Sequence, residues 1–474
     1  MNLAPKRPLF ELIVQYETTT RLGEQHYYAQ DEYNKLIDYY EFEWLYDEAV
    51  EVVNKAIELY PYTVEFLFRK AHIFILSEKP KRALKILKEA EVMVPGSFDL
   101  KLHKAWVLAD LGKFNQSVEI LYELQDTIFN KQDLSLVYYY ESLVRERKGE
   151  MNKTYQTLKK AIELDPTNTV ALEKMWWFMK NRNRLSYQKE NINLFKKVVD
   201  HDPYSWWGWF NLGTCLEYRC RYKEAIEAYE FAIVIDESDS RAYHNCAEVC
   251  FNIKDYGRAL RHFEEYTRKF NVDADVYFKI AVCYANLNKI PAAKKFLFMA
   301  IDENEFMEEA YFHLGECYQR EGNFRNALLY YKKAANIFPL RDDIFRGIGT
   351  TYFKMGKPEH TRKYFNRMVE LSHDNIDNWK TYIEFLYQMN ELESALEMID
   401  KASEYHSCSS LKYYKIAYQV VMGRVSQAFY YLEEALQEDF SSHRFLFEAE
   451  PRLSKMKEIT DFINKFEREK LSVH

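Results

Sequence analysis

The chain is poor in the residues that interrupt helices: of its 474 residues only 13 are Gly and 11 are Pro. Folds built on frequent tight turns are therefore excluded. Plentiful Leu, Ala, Glu and Lys, with no run of alternating β-branched residues, point instead to a nearly all-helical chain. No segment reaches about 18 consecutive apolar residues, so no membrane-spanning helix is expected. The start, MNLAPKRPLFELIVQYETTT, holds neither an apolar stretch of signal-peptide length nor a small-residue cleavage site. Cysteine is sparse: seven residues, an odd number without CxxC pairs, argue against a disulfide framework and for reduced thiols. The reading is a soluble, cytoplasmic protein. A basic block is missing too. Lys and Arg number 65 against 73 Asp and Glu, for a net charge of −8, and the basic residues are scattered. Phosphate-backbone binding lacks its electrostatic footprint, and no nucleic-acid partner is expected.

Catalytic signatures are also wanting. No glycine-rich phosphate loop or nucleophile elbow occurs, because the few glycines sit at repeat positions or between helices. The twelve histidines do not cluster with Cys or carboxylates at metal-ligand spacing. His262 and His313 stand isolated in the sequence, and Cys246 and Cys250 lie one helical turn apart with no second pair nearby. Cys215, Cys283 and Cys317 read as small core residues. Paired carboxylates fall on solvated helix faces. The expectation is a non-enzyme without cofactor or metal.

What is present is repetition. Segments ending in proline recur: DEAVEVVNKAIELYP at Pro61, KRALKILKEAEVMVP at Pro95, TYQTLKKAIELDP at Pro166. The spacing from Pro61 to Pro95 is 34 residues. The second half keeps that step through Trp209, Tyr243, Tyr277, Tyr311 and Phe345. Each aromatic is followed by a fixed set: Leu212-Gly213, Cys246-Ala247, Ile280-Ala281, Leu314-Gly315 and Ile348-Gly349. Further on come Ala225, Ala259, Ala293, Ala327 and Thr361, then Tyr229, Phe263, Leu297, Tyr331 and Phe365. Each unit reads as two amphipathic helices joined by a short turn, with small residues allowing close approach and aromatics filling the space beside them. Proline stops the second helix. One pair cannot bury its own apolar faces, so the pairs must stack.

This pattern resembles the tetratricopeptide repeat. Residues 308–341 carry the signature almost completely, as Tyr311, Leu314, Gly315, Tyr318, Ala327, Tyr331, Ala334 and Pro339. The resemblance implies an all-α, right-handed superhelical solenoid of about twelve antiparallel helix pairs between residues 30 and 442. Residues 1–29 are expected to form an N-terminal helix or cap. Partly degenerate units fill 30–205, more regular ones fill 206–442, and capping helices follow at 443–474. Two units are irregular. The unit at 98–134 lacks its terminal proline and is about three residues too long for the period, and 169–205 carries a similar insertion around KNRNRLSYQKE.

The resemblance further implies that the first helix of each unit lines a concave groove through its second, fifth, sixth and ninth positions, which share one side at helical spacing. The sixth position holds Arg69, His103, Asn211, Asn245, Lys279 and His313, and a ladder of donors for an extended peptide is expected there. Arg241 at position two adds a basic donor. Asp275, Glu309, Asp343 and Asp377 follow at that position in later units, so the groove changes sign along its length. Among the tryptophans, Trp209 occupies the core aromatic position. Trp207 at position two and Trp177 at position nine are either a partner's anchor or bulk filling a gap beside the irregular unit, where Trp176 replaces the usual small residue. The basic clamp by which some family members hold chaperone tails is not reproduced around Asn245. The functional expectation is a scaffold or adaptor binding a peptide segment or partner helix. A regulatory or assembly subunit of an enzyme complex is the alternative, self-association remains open, and an RNA-binding array is disfavoured by the acidic charge.

Overall fold

The computed structural model describes residues 7–23, 26–182 and 188–472, and all regular structure among them is helical. It divides into two compact units, Met1–Val272 and Asp273–His474. The first unit holds the helix Arg7–Leu22 and then seven consecutive helix pairs, from Gln30–Phe42 to Tyr256–Lys269. The second holds five pairs, from Ala274–Asn286 to Val425–Glu438, and a C-terminal cap. The twelve pairs agree with the count read from the period.

Glu308–Arg320 and Phe324–Ile337 show how the sequence dictates a pair. Their lengths, 13 and 14 residues, recur through most of the chain. A Cβ added at Gly315 would lie 2.6 Å from the ring of Tyr331, so only glycine lets the second helix press its aromatic against the first. Gly213 under Tyr229 and Gly349 under Phe365 repeat the device at 2.7 and 2.5 Å. Tyr331 also faces Gly347 of the next pair, at 2.8 Å from a Cβ built there, and it packs in one cluster with Ile344 and Ile348. A pair's apolar surface is thus completed by its neighbour, as stacking requires.

Among the described residues, the turns inside the pairs place one residue at positive φ: Gly322 at 74°, and at equivalent places Trp44, Glu78, Gly112, Gly149, Cys220, Lys254, Asn288, Gly356, Asn390 and Gly423. The following amide then bonds back across the helix end, as Asn323 N–H does to the Tyr318 carbonyl at 2.9 Å. That is a left-handed helix C-cap. Pro61 and Pro339 stand two residues beyond the helices ending at Leu59 and Ile337.

The surplus of the unit at 98–134 appears as an added turn. Lys131–Arg147 is 17 residues long and begins one turn before its repeat register. Within the second insertion, residues 183–187 lie outside the described residues. The predicted caps are helical. Leu12, Ile13 and Tyr16 of Arg7–Leu22 pack with Leu36 and Ile37. Helices Arg444–Ala449 and Lys457–Ser472 bury Leu446, Ile459 and Ile463 in the core of the last pairs.

Candidate binding surfaces

In the first unit, one face of four successive first helices opens into a cavity of about 710 Å³. Val64–Leu76 contributes Glu65, Phe68, Arg69 and His72, and Phe98–Asp110 contributes Asp99, His103 and Trp106. Those are positions two, five, six and nine of their units. Lys131–Arg147 adds Leu136, Tyr139 and Tyr140, and Val170 follows on the next first helix. Here helical geometry and repeat register coincide: residues one and two turns apart share a face.

The lining is aromatic and internally braced. The His103 ring stacks on Phe68 at 5.3 Å, Trp106 meets His72 at 5.4 Å, and both His103 and Trp106 reach Tyr140 at 6.0 Å. Burial pushes the His103 pKa below its ordinary value, and Nδ1 lies 2.8 Å from the Asp99 carbonyl. Neutral at physiological pH, the ring acts as a flat apolar wall. Burial likewise raises Tyr139, to about 12, so its hydroxyl stays protonated. Arg69 pairs with Asp38 and, at 3.3 Å, with Glu41, which also stands 3.5 Å from His72. The cavity therefore offers rings and polar edges, with its cationic charge already balanced.

The tryptophan-rich stretch forms a second cluster in the same unit. Trp176 is buried, and it contacts Trp177 at 4.7 Å and Trp207 at 6.1 Å. Trp206 stacks on the fully buried Phe210 at 4.6 Å. The Arg241 guanidinium caps Trp207 at 4.5 Å and Trp206 at 4.7 Å while forked onto the Asp239 carboxylate. Arg241 and Trp207, expected as separate groove contacts, thus engage one another. Trp177 is 45% exposed. Trp209 stacks on Phe231 at 4.4 Å and its indole N–H donates to the Pro203 carbonyl, so it is packing.

The donor ladder requires correction. Asn211 is fully buried, and its amide donates to the Leu172 carbonyl at 3.0 Å, tying its helix to the preceding unit. It cannot meet a peptide. Asn245 is half-buried beside the Tyr229 hydroxyl. In the second unit, Lys279 pairs with Asp275 at 2.6 Å, and His313 lies 2.8 Å from Glu316 and against the ring of Phe278. Arg69, Lys279 and His313 at this position are matched by the chain's own carboxylates. A further correction concerns metal-type residues: folding brings His262 to Cys246 and Cys250, although the sequence separates them.

Over the last two pairs of the second unit the corresponding face is covered by the chain itself. Arg444–Ala449 and the turn after it lie on the fifth and ninth positions of the last two pairs. Lys380 sits over the Phe445 ring at 5.3 Å, and Tyr414 and Tyr418 are buried there. Tyr387 stacks on Tyr418 at 4.7 Å and donates its hydroxyl hydrogen bond to Glu450, which Arg452 holds at 2.7 Å. Sequence reasoning missed both this contact and the aromatic cavity. The signal for the cavity was available at positions five and nine of the early units.

Fold and surfaces together define an all-helical repeat protein. Residues 308–340 match the family model for the tetratricopeptide repeat, and the flanking helices form pairs of similar length. Among curated proteins it is similar to the protein CTR9 homolog of Arabidopsis thaliana, 22% identical over 54% of this chain and 24% of that one. It is also similar to the antiviral innate immune response effector IFIT1 of Macaca fascicularis, 21% identical over 56% of this chain and 58% of that one. The matches thus span less than two thirds of either relative. Among solved structures, the APC/C hetero-tetramer Cut9-Hcn1 aligns over 89% of this chain and 99% of its own, at 11% identity and a TM-score of 0.35. Among the described residues, no helix is long and apolar enough to cross a membrane.

Proposed function

We propose that the protein is a non-catalytic scaffold whose first unit holds a peptide segment or short helix of a partner protein in the cavity between Phe68, His103, Trp106 and Tyr140. The observation that carries this reading is the open aromatic face at positions two, five, six and nine. Rings of this kind supply most of the binding energy in protein interfaces. The second unit supplies an internal analogy, since a short helix with apolar anchors already covers the equivalent face there. With Arg69 and His72 engaged by Asp38 and Glu41, the preferred partner presents an aliphatic or aromatic anchor rather than an acidic tail. Arg241, Asn245, Trp177 and Trp207 become secondary contacts within the first unit, and Lys279 and His313 belong to the second unit's own face.

Peptides selected from a random display library against the whole protein test this reading. Their affinity, measured by fluorescence anisotropy, falls about 30-fold on Trp106→Ala, the effect of losing a hot spot of roughly 2 kcal/mol. Peptides that bind wild type and Trp106→Ala equally would remove the cavity from the account.

A further inference from the structure

The repeat contains one unit whose interior chemistry differs from its neighbours. In three consecutive pairs of the second unit, a ring on the first helix stacks on a ring of the second: Tyr284 on Phe296 at 5.5 Å, Tyr318 on Tyr330 at 5.3 Å, Tyr352 on Tyr364 at 5.5 Å. The equivalent residues of the pair Ser240–Asn252 and Tyr256–Lys269 are Cys250 and His262. One turn before Cys250, Cys246 replaces the large aliphatic residue found at Leu212, Ile280, Leu314 and Ile348.

These three exchanges converge. The two sulfurs and a ring nitrogen of His262 lie within 4.8 Å of one another. Both cysteines are fully buried. Nδ1 of His262 is buried without a hydrogen-bond partner, whereas Nε2 faces the Glu230 carboxylate at 3.4 Å. A carboxylate behind a histidine is the usual support of a metal-ligating imidazole, fixing its orientation and raising its basicity. An orphaned ring nitrogen beside two thiols is costly unless something occupies it. The Glu230 side chain is 44% exposed and that of His262 is 13% exposed, which leaves an approach for an ion along this edge.

We propose that Cys246, Cys250 and His262 form a binding site for a thiophilic d10 cation, with zinc(II) as the ion, Glu230 as the outer support and water as the fourth ligand. Two soft sulfurs and one imidazole are a zinc donor set. Binding releases both thiol protons to solvent and involves no electron transfer. The ion ties the two helices of one pair to Glu230 on the helix before them, Tyr222–Ile235.

The test uses the full-length protein, reduced and stripped of metal, titrated with cobalt(II). One equivalent is expected to give thiolate-to-cobalt charge transfer with tetrahedral ligand-field bands, which zinc then abolishes. Zinc is also expected to raise the unfolding temperature. Cys250→Tyr/His262→Phe restores the ring pair of the neighbouring units; it should fold, bind no cobalt and show no zinc-dependent stabilisation. Glu230→Gln should weaken binding about 10–100-fold. Cys215→Ala, outside the site, should leave the titration unchanged. Absence of the charge-transfer band in reduced wild type, or its persistence in the ring-restored variant, overturns the proposal. So does formation of a Cys246 to Cys250 disulfide in air with no metal uptake under reduction.

Discussion

The close approach within each helix pair makes a quantitative demand at Gly315. An alanine methyl there would sit 2.6 Å from Cδ1 and Cε1 of Tyr331, well inside contact distance. The ring has no room to retreat, being fully buried with Gly347 on its far side, where a Cβ would stand 2.8 Å away. Overpacking of this kind costs about 1–3 kcal/mol. Replacing a mid-helix glycine by alanine returns up to ~1 kcal/mol of helix propensity. Gly315→Ala should therefore destabilise the protein by about 1–2 kcal/mol. Gly257 provides the matched control, since the nearest atom to a Cβ built there is 3.8 Å away, and Gly257→Ala should stabilise slightly. Urea unfolding followed by circular dichroism gives the two signs, and hydrogen exchange over 308–337 locates the loss. Tyr331→Leu in the Gly315→Ala background should cost less than in wild type, because the clash has gone. If Gly315→Ala gains stability as Gly257→Ala does, aromatic-over-glycine packing does not hold the pairs together.

Three further outcomes follow from particular contacts. Lys254 adopts φ 63° in its helix-terminal turn, so Lys254→Gly should raise stability by about 0.5–1 kcal/mol; a lower urea midpoint would contradict that reading of the cap. Asn211→Ala breaks a buried bond to the Leu172 carbonyl and should cost about 1 kcal/mol while leaving peptide affinity unchanged; weaker binding with intact stability would restore Asn211 to the binding surface. Hydrogen bonds from Lys148 and Arg145 hold the Glu150 carboxyl at about 2, below the usual carboxylate range. A depressed acid stabilises fully above its unfolded value of about 4.3 and loses that contribution as pH falls toward 2. Between about pH 6 and pH 3, Glu150→Gln should lose less stability than wild type; equal losses in paired urea titrations would remove Glu150 from the acid response.

The helix pairs were legible because their determinants are local: a 34-residue step, a small residue under an aromatic, and a helix stop. Gly315 and Tyr331 show it well, since spacing alone brings them together. The groove face was also legible as a set of positions, and Arg69 and His103 do line the cavity. What the sequence concealed was neutralisation. Whether Lys279 offers its charge to a partner depends on Asp275 one turn earlier, and whether Trp207 is bare depends on Arg241 of the next pair. Asn211 was misplaced because helical spacing gives a direction but not a depth, and the Leu172 carbonyl lies within its reach. The C-terminal helix covering Tyr414 and Tyr418 carries no repeat signature, so its seat was unreadable. Cys246, Cys250 and His262 were separated by sequence distance and joined by the hairpin between their helices.

On the proposed reading a partner enters on the aromatic face of the first unit. Photo-crosslinking tests it most directly: a photoreactive amino acid replaces His103 in one sample and the exposed Trp177 in another, and each is irradiated with a peptide selected on the wild-type protein. Adducts are expected from position 103, suppressed by excess unlabelled peptide, with few or none from position 177. Adducts from position 177 alone would place binding at the tryptophan cluster and contradict it.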